Sequence, residues 1–470
     1  MWTYNSPPLG QHLSRWSVQP GVWQFTCAIL LLLLVSREYS HREVRAPTPS
    51  AFAIPSDPVI EIHSKSTAAQ PILDSLSKSG TPWQYDWQRD GNNQYLAASQ
   101  CDAAFPLLYH EIERAQQRFG AANITEDDID LFREGTGNDG GVRILIVDSQ
   151  VRIILTRGLF REDFRHRIIA IVQQVVQAVA AADASGEAIP NIEFSVVVDD
   201  IAVLDQKKPG ALWSFTRRDA DAVHDNLWLI PDFHFFAAPP EAEGFRTMQA
   251  KFRTHDSSLE QKLPQVVWRG ATWTNKPVRQ SLLDVTAGKE WANVSEMSWE
   301  NLATVIPMDE FCKYRYTVNT EGRAWSARMT HLFNCDSLMF VHDVEWVAHY
   351  YHLLDTGHNC ISVARDFHDL EAKIQYYEHH LDEAQQIADR AKETFRQRYT
   401  TPAATACYWR KLMRTWSTVA FEPQIHIPSD DEETSSSPRK RIRGITFEEF
   451  ILHLNDQDYP YQKKKKNQNG

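Results

Sequence analysis

Two residues in one short stretch have the types needed to hold a phosphate. Between positions 312 and 340 (CKYRYTVNTEGRAWSARMTHLFNCDSLMF) a strand-like run reaches a polar turn at 319–322, and a helix-like run then carries Trp325, Ser326 and Arg328. A turn feeding a helix start presents free backbone N–H groups, and a nearby hydroxyl and guanidinium add donors suited to an anion. A second basic point lies upstream in VVWRGAT, where Arg269 and Gly270 close a strand-like run and Arg279 follows. The C-terminal end of such a strand opens onto the crevice where α/β sheets bind ligands. Glycine there lets backbone approach closely. Arg269 and Arg328 together would neutralise a diphosphate; the competing role for Arg269 is a pair with a structural carboxylate.

Other chemistries lack their motifs. There is no G-x-x-x-x-G-K-[ST], no G-x-S-x-G and no H-E-x-x-H, so an ATPase, a serine hydrolase or a zincin has no local support. No dinucleotide fingerprint is expected either, and with it no dehydrogenase. The formal net charge of −12 and pI near 5.8 argue against a broad grip on nucleic acid. Fifteen Trp and fifteen Tyr supply aromatic faces, which suit sugars but also fill cores.

The elements that must position these residues alternate. Positions 142–147 and 151–155 are two β-rich runs split by Asp148, Ser149 and Gln150, a hairpin pattern. Ile168, Ile171, Val172, Val175 and Val179 then mark one helical face, and IEFSVVV (192–198) has the length of a buried strand. Strand–helix–strand alternation implies a parallel layer. An irregular aromatic segment at 219–256 separates this half from a second one. There, 265–269 and 360–364 are strand-like, 279–286 is helical, and two further helices after 366 are expected to be capped by Asp366 and Asp382.

The ends differ in character. Positions 22–35 (VWQFTCAILLLLLV) are apolar between Arg15 and Arg37; an uncleaved signal anchor is the preferred reading and a cleaved signal peptide the alternative. The basic residues are denser after this run, which by itself argues against a lumenal C-terminus. Positions 40–90 have the composition of a stem. The acidic, then serine-rich, then basic run after 428 reads as a solvated tail. Of six cysteines, Cys27 lies in the apolar run and no two others form C-x-x-C, so the remaining five make at most two bridges. Asn123 and Asn293 head glycosylation sequons.

Several blocks, in order over roughly residues 100–415, resemble glycosyltransferase family 90, which holds capsule-associated xylosyltransferases and Rumi-type protein O-glucosyltransferases. They are LFRED (159–163), IEFSVVVDD (192–200), WSFT (213–216), VVWRGAT (266–272), the 312–333 run, EWVAHYY (345–351), DLEAKIQYYEHHLDEAQQIA (369–388) and ACYW (406–409). The resemblance implies an α/β protein of the GT-B type, two Rossmann-like domains facing across a cleft. It implies inverting transfer of a sugar from a UDP-sugar, with arginines and hydroxyls rather than a metal or cofactor meeting the departing diphosphate. On this basis Ser214, Phe215, Arg269, Gly270, Ser326 and Arg328 are expected to bind donor, with Phe215 alternatively core. Asp163 stands where the family's protein O-glucosyltransferases carry the catalytic base, although a disulfide-bearing loop is deleted here. It would otherwise cap the helix that follows, leaving Asp199 and Asp200 as fallback bases. The cysteines match bridges Cys312–Cys335 and Cys101–Cys407, leaving Cys360 free.

The expected organisation is therefore a cytoplasmic tail and signal anchor (1–40), a stem (41–95), an acceptor domain (96–238), a nucleotide-sugar domain (239–420) and a disordered tail (421–470). The expected function is transfer of xylose or glucose to a hydroxyl of a glycan or glycoprotein in the Golgi or endoplasmic reticulum. The rival is a catalytically silent, membrane-anchored sugar-binding protein of the same fold.

Overall fold

The structure, a computed structural model, describes residues 83–120, 124–133, 138–238, 243–298, 301, 304–427 and 441–460. The expected anchor, most of the expected stem and the sequon at Asn123 lie outside them.

A hairpin begins the first sheet. Strand β1 (Gly141–Val147) turns through Asp148 and Ser149, at φ 49° and 60°, into β2 (Gln150–Arg157), and Val147 pairs with Gln150. Two residues with positive φ give the turn whose twist matches its strands. Helix α1 (Glu162–Ala184) follows and buries Phe164, Ile168, Ile171, Val172, Val175 and Val179 along one stripe. Glu162 and Asp163 occupy its first turn, where negative charge meets the positive end of the helix dipole. The chain then enters β3 (Ile192–Val197), β4 (Trp213–Ser214) and β5 (Trp228–Leu229). Both β2 and β3 run antiparallel to β1, so they share a direction across it; β3, β4 and β5 are mutually parallel. The parallel layer expected from alternation is present, with the hairpin strand inserted into it.

The second sheet is wholly parallel. It contains β6 (Leu263–Gly270), β7 (Ala292–Glu296), β8 (Tyr314–Asn319), β9 (Leu338–His342) and β10 (Ile361–Val363), in the order β7-β6-β8-β9-β10. Trp268, Tyr316, Val318 and Phe340 bury against Val278, Leu282, Leu370, Ile374 and Ile387 of flanking helices. Each such side chain contributes on the order of 1.5–3 kcal/mol. Neither expected cap holds: Asp366 binds His368, Asp382 sits inside the first turn, and the cap positions are Asp369 and His380. The two helices abut at His380, which leaves no loop for a capping residue.

Short helix α2 (Arg328–Leu332) follows β8, and α3 (Pro402–Ser417) closes the fold. Thr401 caps α3 by accepting the Ala404 N–H at 3.2 Å, and Pro402 opens it. Although α3 lies in the span expected for the second domain, it packs on the first sheet. The Trp409 indole donates to Gln174 Oε1 (3.1 Å), the Trp416 indole to the Glu193 carbonyl (3.0 Å) and the Tyr408 hydroxyl to the Leu229 carbonyl (2.8 Å). Cys101–Cys407 and Cys312–Cys335 are bridged, and Cys360 is buried and unpaired.

Two readings of the ends are corrected. Residues 83–95, expected as stem, dock on the body through Tyr85 Oη to the Gln397 carbonyl (2.9 Å) and the Gly91 carbonyl to the Ala403 N–H (3.1 Å). Residues 441–460, expected as disordered tail, form β11 (Ile445–Thr446) on the edge of β2 and a helix, Phe447–Leu452. Their charge density hid a small apolar set, Ile445 and Phe450, which is buried.

Candidate active site

The parallel strands of the second sheet end together, with Gly270 opposite Glu296 and Asn319 opposite Val341. Trp268 lies buried two residues before the end of β6, and its indole N–H donates to Thr320 Oγ1 at 2.9 Å. Two guanidiniums share the ring of Trp268: Arg328 at 5.6 Å and Arg279 at 5.7 Å from its centroid. The face of a tryptophan attracts cations, but two like charges on one ring repel.

The two arginines differ in their partners. Arg279 donates to the Glu321 carbonyl (2.9 Å) and the Ala271 carbonyl (2.7 Å). Among the described residues, nothing accepts from Arg328, and its buried Nη1 has no partner. Burial pushes Arg279 down to about 10; burial, then the charge of Arg279, pushes Arg328 down to about 9. Asn319, fully buried at the end of β8, likewise finds no partner for either amide atom. A Cβ on Gly270 would stand 2.6 Å from the Trp268 ring and 3.2 Å from Arg328 Nη2. Glycine is therefore required where the backbone passes these groups. Ser326, buried in the turn before α2, gives its carbonyl to the Met329 N–H at 3.1 Å. Cationic donors with unmet hydrogen-bonding capacity suit a multiply charged anion.

Arg269 does not join this group. Its guanidinium is engaged by the Trp268 and Asn293 carbonyls (2.8 and 2.7 Å) and by Asn293 Oδ1 (2.6 Å) on β7. Adjacent residues of a strand face opposite ways, so Trp268 and Arg269 serve different surroundings. The Asn293 amide also donates to Tyr314 Oη at 2.6 Å, which ties up the nitrogen of that sequon. Arg279 takes the place beside Arg328; its position three residues into a helix opened by Lys276 and Pro277 was the signal available. Helix α2 is only five residues long and begins at Arg328, so Trp325 and Ser326 sit in the turn before it.

Ser214 and Phe215 lie at the end of β4, both fully buried. Ser214 Oγ has no partner, and Phe215 packs against Phe233 (5.5 Å) and Trp325 (5.6 Å). Phe215 thus belongs to the core, where it supports the turn carrying Ser326. That turn is also braced by Glu321, which was not singled out from sequence. Its carboxylate accepts the Glu345 and Trp346 N–H groups (2.7 and 2.8 Å) and pairs with Arg365 (2.8 Å).

The carboxylates expected as base gather at the N-terminal end of α1 and the end of β3. Asp163 is exposed and pairs with Arg161 at 2.7 Å. Burial would raise its pKa, but the Arg161 bond and charge, the Phe164 N–H and Arg167 hold it below the usual value. Asp200 pairs with Arg167 at 2.9 Å. Asp199 reaches Arg323 at 3.5 Å, and Arg323 directly follows the polar turn of the second sheet. The first sheet's acidic end therefore meets the turn that leads to Ser326 and Arg328.

One apparent motif is set aside by position. GTGNDG at 135–140 has G-x-G-x-x-G spacing, contrary to the expectation that no dinucleotide fingerprint exists. Its last residue, Gly140, is followed by β1 and not by the helix that a pyrophosphate-binding fingerprint requires.

Comparison with known proteins agrees with the residue blocks. Mouse protein O-glucosyltransferase 1 is 23% identical over 319 residues, covering 63% of this chain and 79% of the mouse protein. The human protein O-glucosyltransferase 1 is 30% identical over 134 residues, 28% of this chain and 34% of that protein. The Aedes aegypti O-glucosyltransferase rumi homolog is 31% identical over 209 residues, 40% of this chain and 52% of that protein. Thus the chain matches only about a third of the human relative's length. Among solved structures, Anabaena HepE in complex with UDP and glucose aligns with TM-score 0.29 at 9% identity, over 53% of this chain and 76% of that one, too slight a likeness to carry an argument. The sequence pattern of Glycosyl transferase family 90 matches residues 98–443, and the chain belongs to that family.

Proposed function

We propose that the protein is an inverting glycosyltransferase of GT-B architecture that moves glucose or xylose from a UDP-sugar to a hydroxyl of a glycan or glycoprotein. The observation that carries this reading is the pair Arg328 and Arg279 on Trp268, one guanidinium without a partner, at the strand ends of a family 90 chain. The acceptor oxygen attacks the anomeric carbon as the bond from that carbon to the diphosphate breaks. The electron pair leaves with UDP, whose growing negative charge meets Arg328 and Arg279, with Ser326 and Gly270 beside them. The acceptor proton passes to a carboxylate. Asp163, at the family's position and kept ionised by Arg161, is the first assignment; the Arg323 contact makes Asp199 the second. No metal or cofactor is invoked in this scheme, because the two guanidiniums supply the countercharge.

The relatives' names favour glucose as the sugar. The two disulfides favour an oxidising, secretory compartment, and the apolar run at 22–35 would anchor the chain in its membrane as a single-pass type II protein. UDP release from a panel of UDP-sugars tests the reading, with UDP-glucose or UDP-xylose expected to be turned over fastest. UDP binding without UDP release from any donor would instead establish the catalytically silent sugar-binding protein.

A further inference from the structure

The segment after Arg443 lies beyond the residues matched by the family, yet it is built into the first sheet. Arg443 forms two bonds to the buried Glu193 carboxylate (2.8 and 3.0 Å), and Arg152 reaches the Arg443 and Gly444 carbonyls (both 2.7 Å). Strand β11 pairs Ile445 with Ile153 and Thr446 with Arg152, and Thr446 caps the following helix. The chain then returns along the end of β2. The Thr156 N–H donates to the Tyr459 carbonyl (2.8 Å), and the Tyr459 N–H donates to Thr156 Oγ1 (2.7 Å).

This return places the Asp458 carboxylate on the turn that leaves β2. Its Oδ2 accepts the Gly158 N–H and its Oδ1 the Leu159 N–H, each at 2.9 Å, and the Thr156 hydroxyl lies 3.4 Å from Oδ1. Gly158 and Leu159 are both buried, so these two N–H groups would otherwise lack a partner. Gly158 has φ 86°, and the Arg161 N–H closes the turn on its carbonyl at 3.0 Å. Arg161 is the residue that pairs with Asp163, and the Arg165 side chain donates to the Leu159 carbonyl at 3.2 Å. One carboxylate therefore organises the chain from Thr156 to the start of α1.

We propose that Asp458 is a positioning residue: the C-terminal segment uses it to hold the 158–161 turn, and so sets the Arg161–Asp163 pair for proton transfer. This rests on Asp163 as the base in the function proposed above. The experiment compares the full chain with Asp458→Asn, Asp458→Ala and the exposed control Asp456→Asn. Three quantities are read: amide exchange at Gly158 and Leu159, UDP affinity by calorimetry, and UDP release from UDP-glucose with water as acceptor.

In the Asp458 variants exchange at the two amides should rise about tenfold. The kcat should fall on the order of tenfold, as a displaced catalytic group implies. UDP affinity and the KM for UDP-glucose should stay at wild-type values, and Asp456→Asn should change nothing. Unchanged exchange, or faster exchange with full kcat, overturns the proposal. If Asp458→Ala fails to fold, Asp458→Asn, which keeps the shape, decides. A wild type that binds UDP but releases it from neither UDP-glucose nor UDP-xylose sinks the function proposed above, and with it this role for Asp458; if only UDP-xylose is turned over, the same comparison is read with that donor.

Discussion

Replacing Arg328 by methionine separates a binding cation from a structural one. In the folded chain its pKa falls from 12.5 to about 9, through burial first and the charge of Arg279 second. That difference corresponds to about 5 kcal/mol of unfavourable charging. Part of the side chain remains open to water, so about 2–3 kcal/mol is the working figure after solvent screening. The sign follows from proton counting. Below about pH 9 the guanidinium is charged in both folded and unfolded chains and the penalty is full; above it the folded chain loses its proton first, and stability rises with pH. Methionine keeps an apolar stem near Trp268 and removes the charge. Denaturant unfolding at pH 7 should therefore show Arg328→Met to be more stable than wild type, by about 1–3 kcal/mol, with the gap narrowing as pH climbs through 9. UDP affinity should move the other way. Loss of charge-assisted bonds worth about 1.5–3 kcal/mol raises Kd roughly 10- to 150-fold. A variant that is less stable and binds UDP as tightly as wild type refutes the anion site.

Further outcomes are expected. As a base, Asp163 acts above its pKa and loses activity as pH falls through it, so the low value sustained by Arg161 places the acid limb of turnover below the usual carboxylate range. Arg161→Gln should move that limb to higher pH, and Asp163→Asn should abolish turnover while sparing UDP affinity; loss of turnover in Asp199→Asn alone would transfer the role to Asp199. Removing the Cys312–Cys335 bridge by double serine substitution opens a loop of 23 residues, which should cost about 3 kcal/mol in denaturant unfolding. Because that bridge ties the turn leading into β8 to the residues just after α2, UDP affinity should weaken as well; a loss under about 1 kcal/mol would show that this loop is constrained without the bridge.

Much of this protein was determined by local chemistry. Hairpin turn, apolar stripe of α1, buried strand at β3 and the parallel run around β6 all follow from short-range periodicity, which the sequence displays directly. The ordered blocks also carried the family and both disulfide pairings, and Arg328 stands close to Gly270 at the strand end that the sequence pointed to. Only tertiary packing decided which arginine stands beside Arg328. Arg269 and Arg279 are equally basic in sequence, but strand alternation sends Arg269 to Asn293 while a helix brings Arg279 to Trp268. The tail shows the same limit. Its composition is that of a solvated chain, and a few apolar residues with one aspartate gain their meaning only against the edge of β2, about 300 residues away in sequence. Contacts of that range leave no period for a sequence to show.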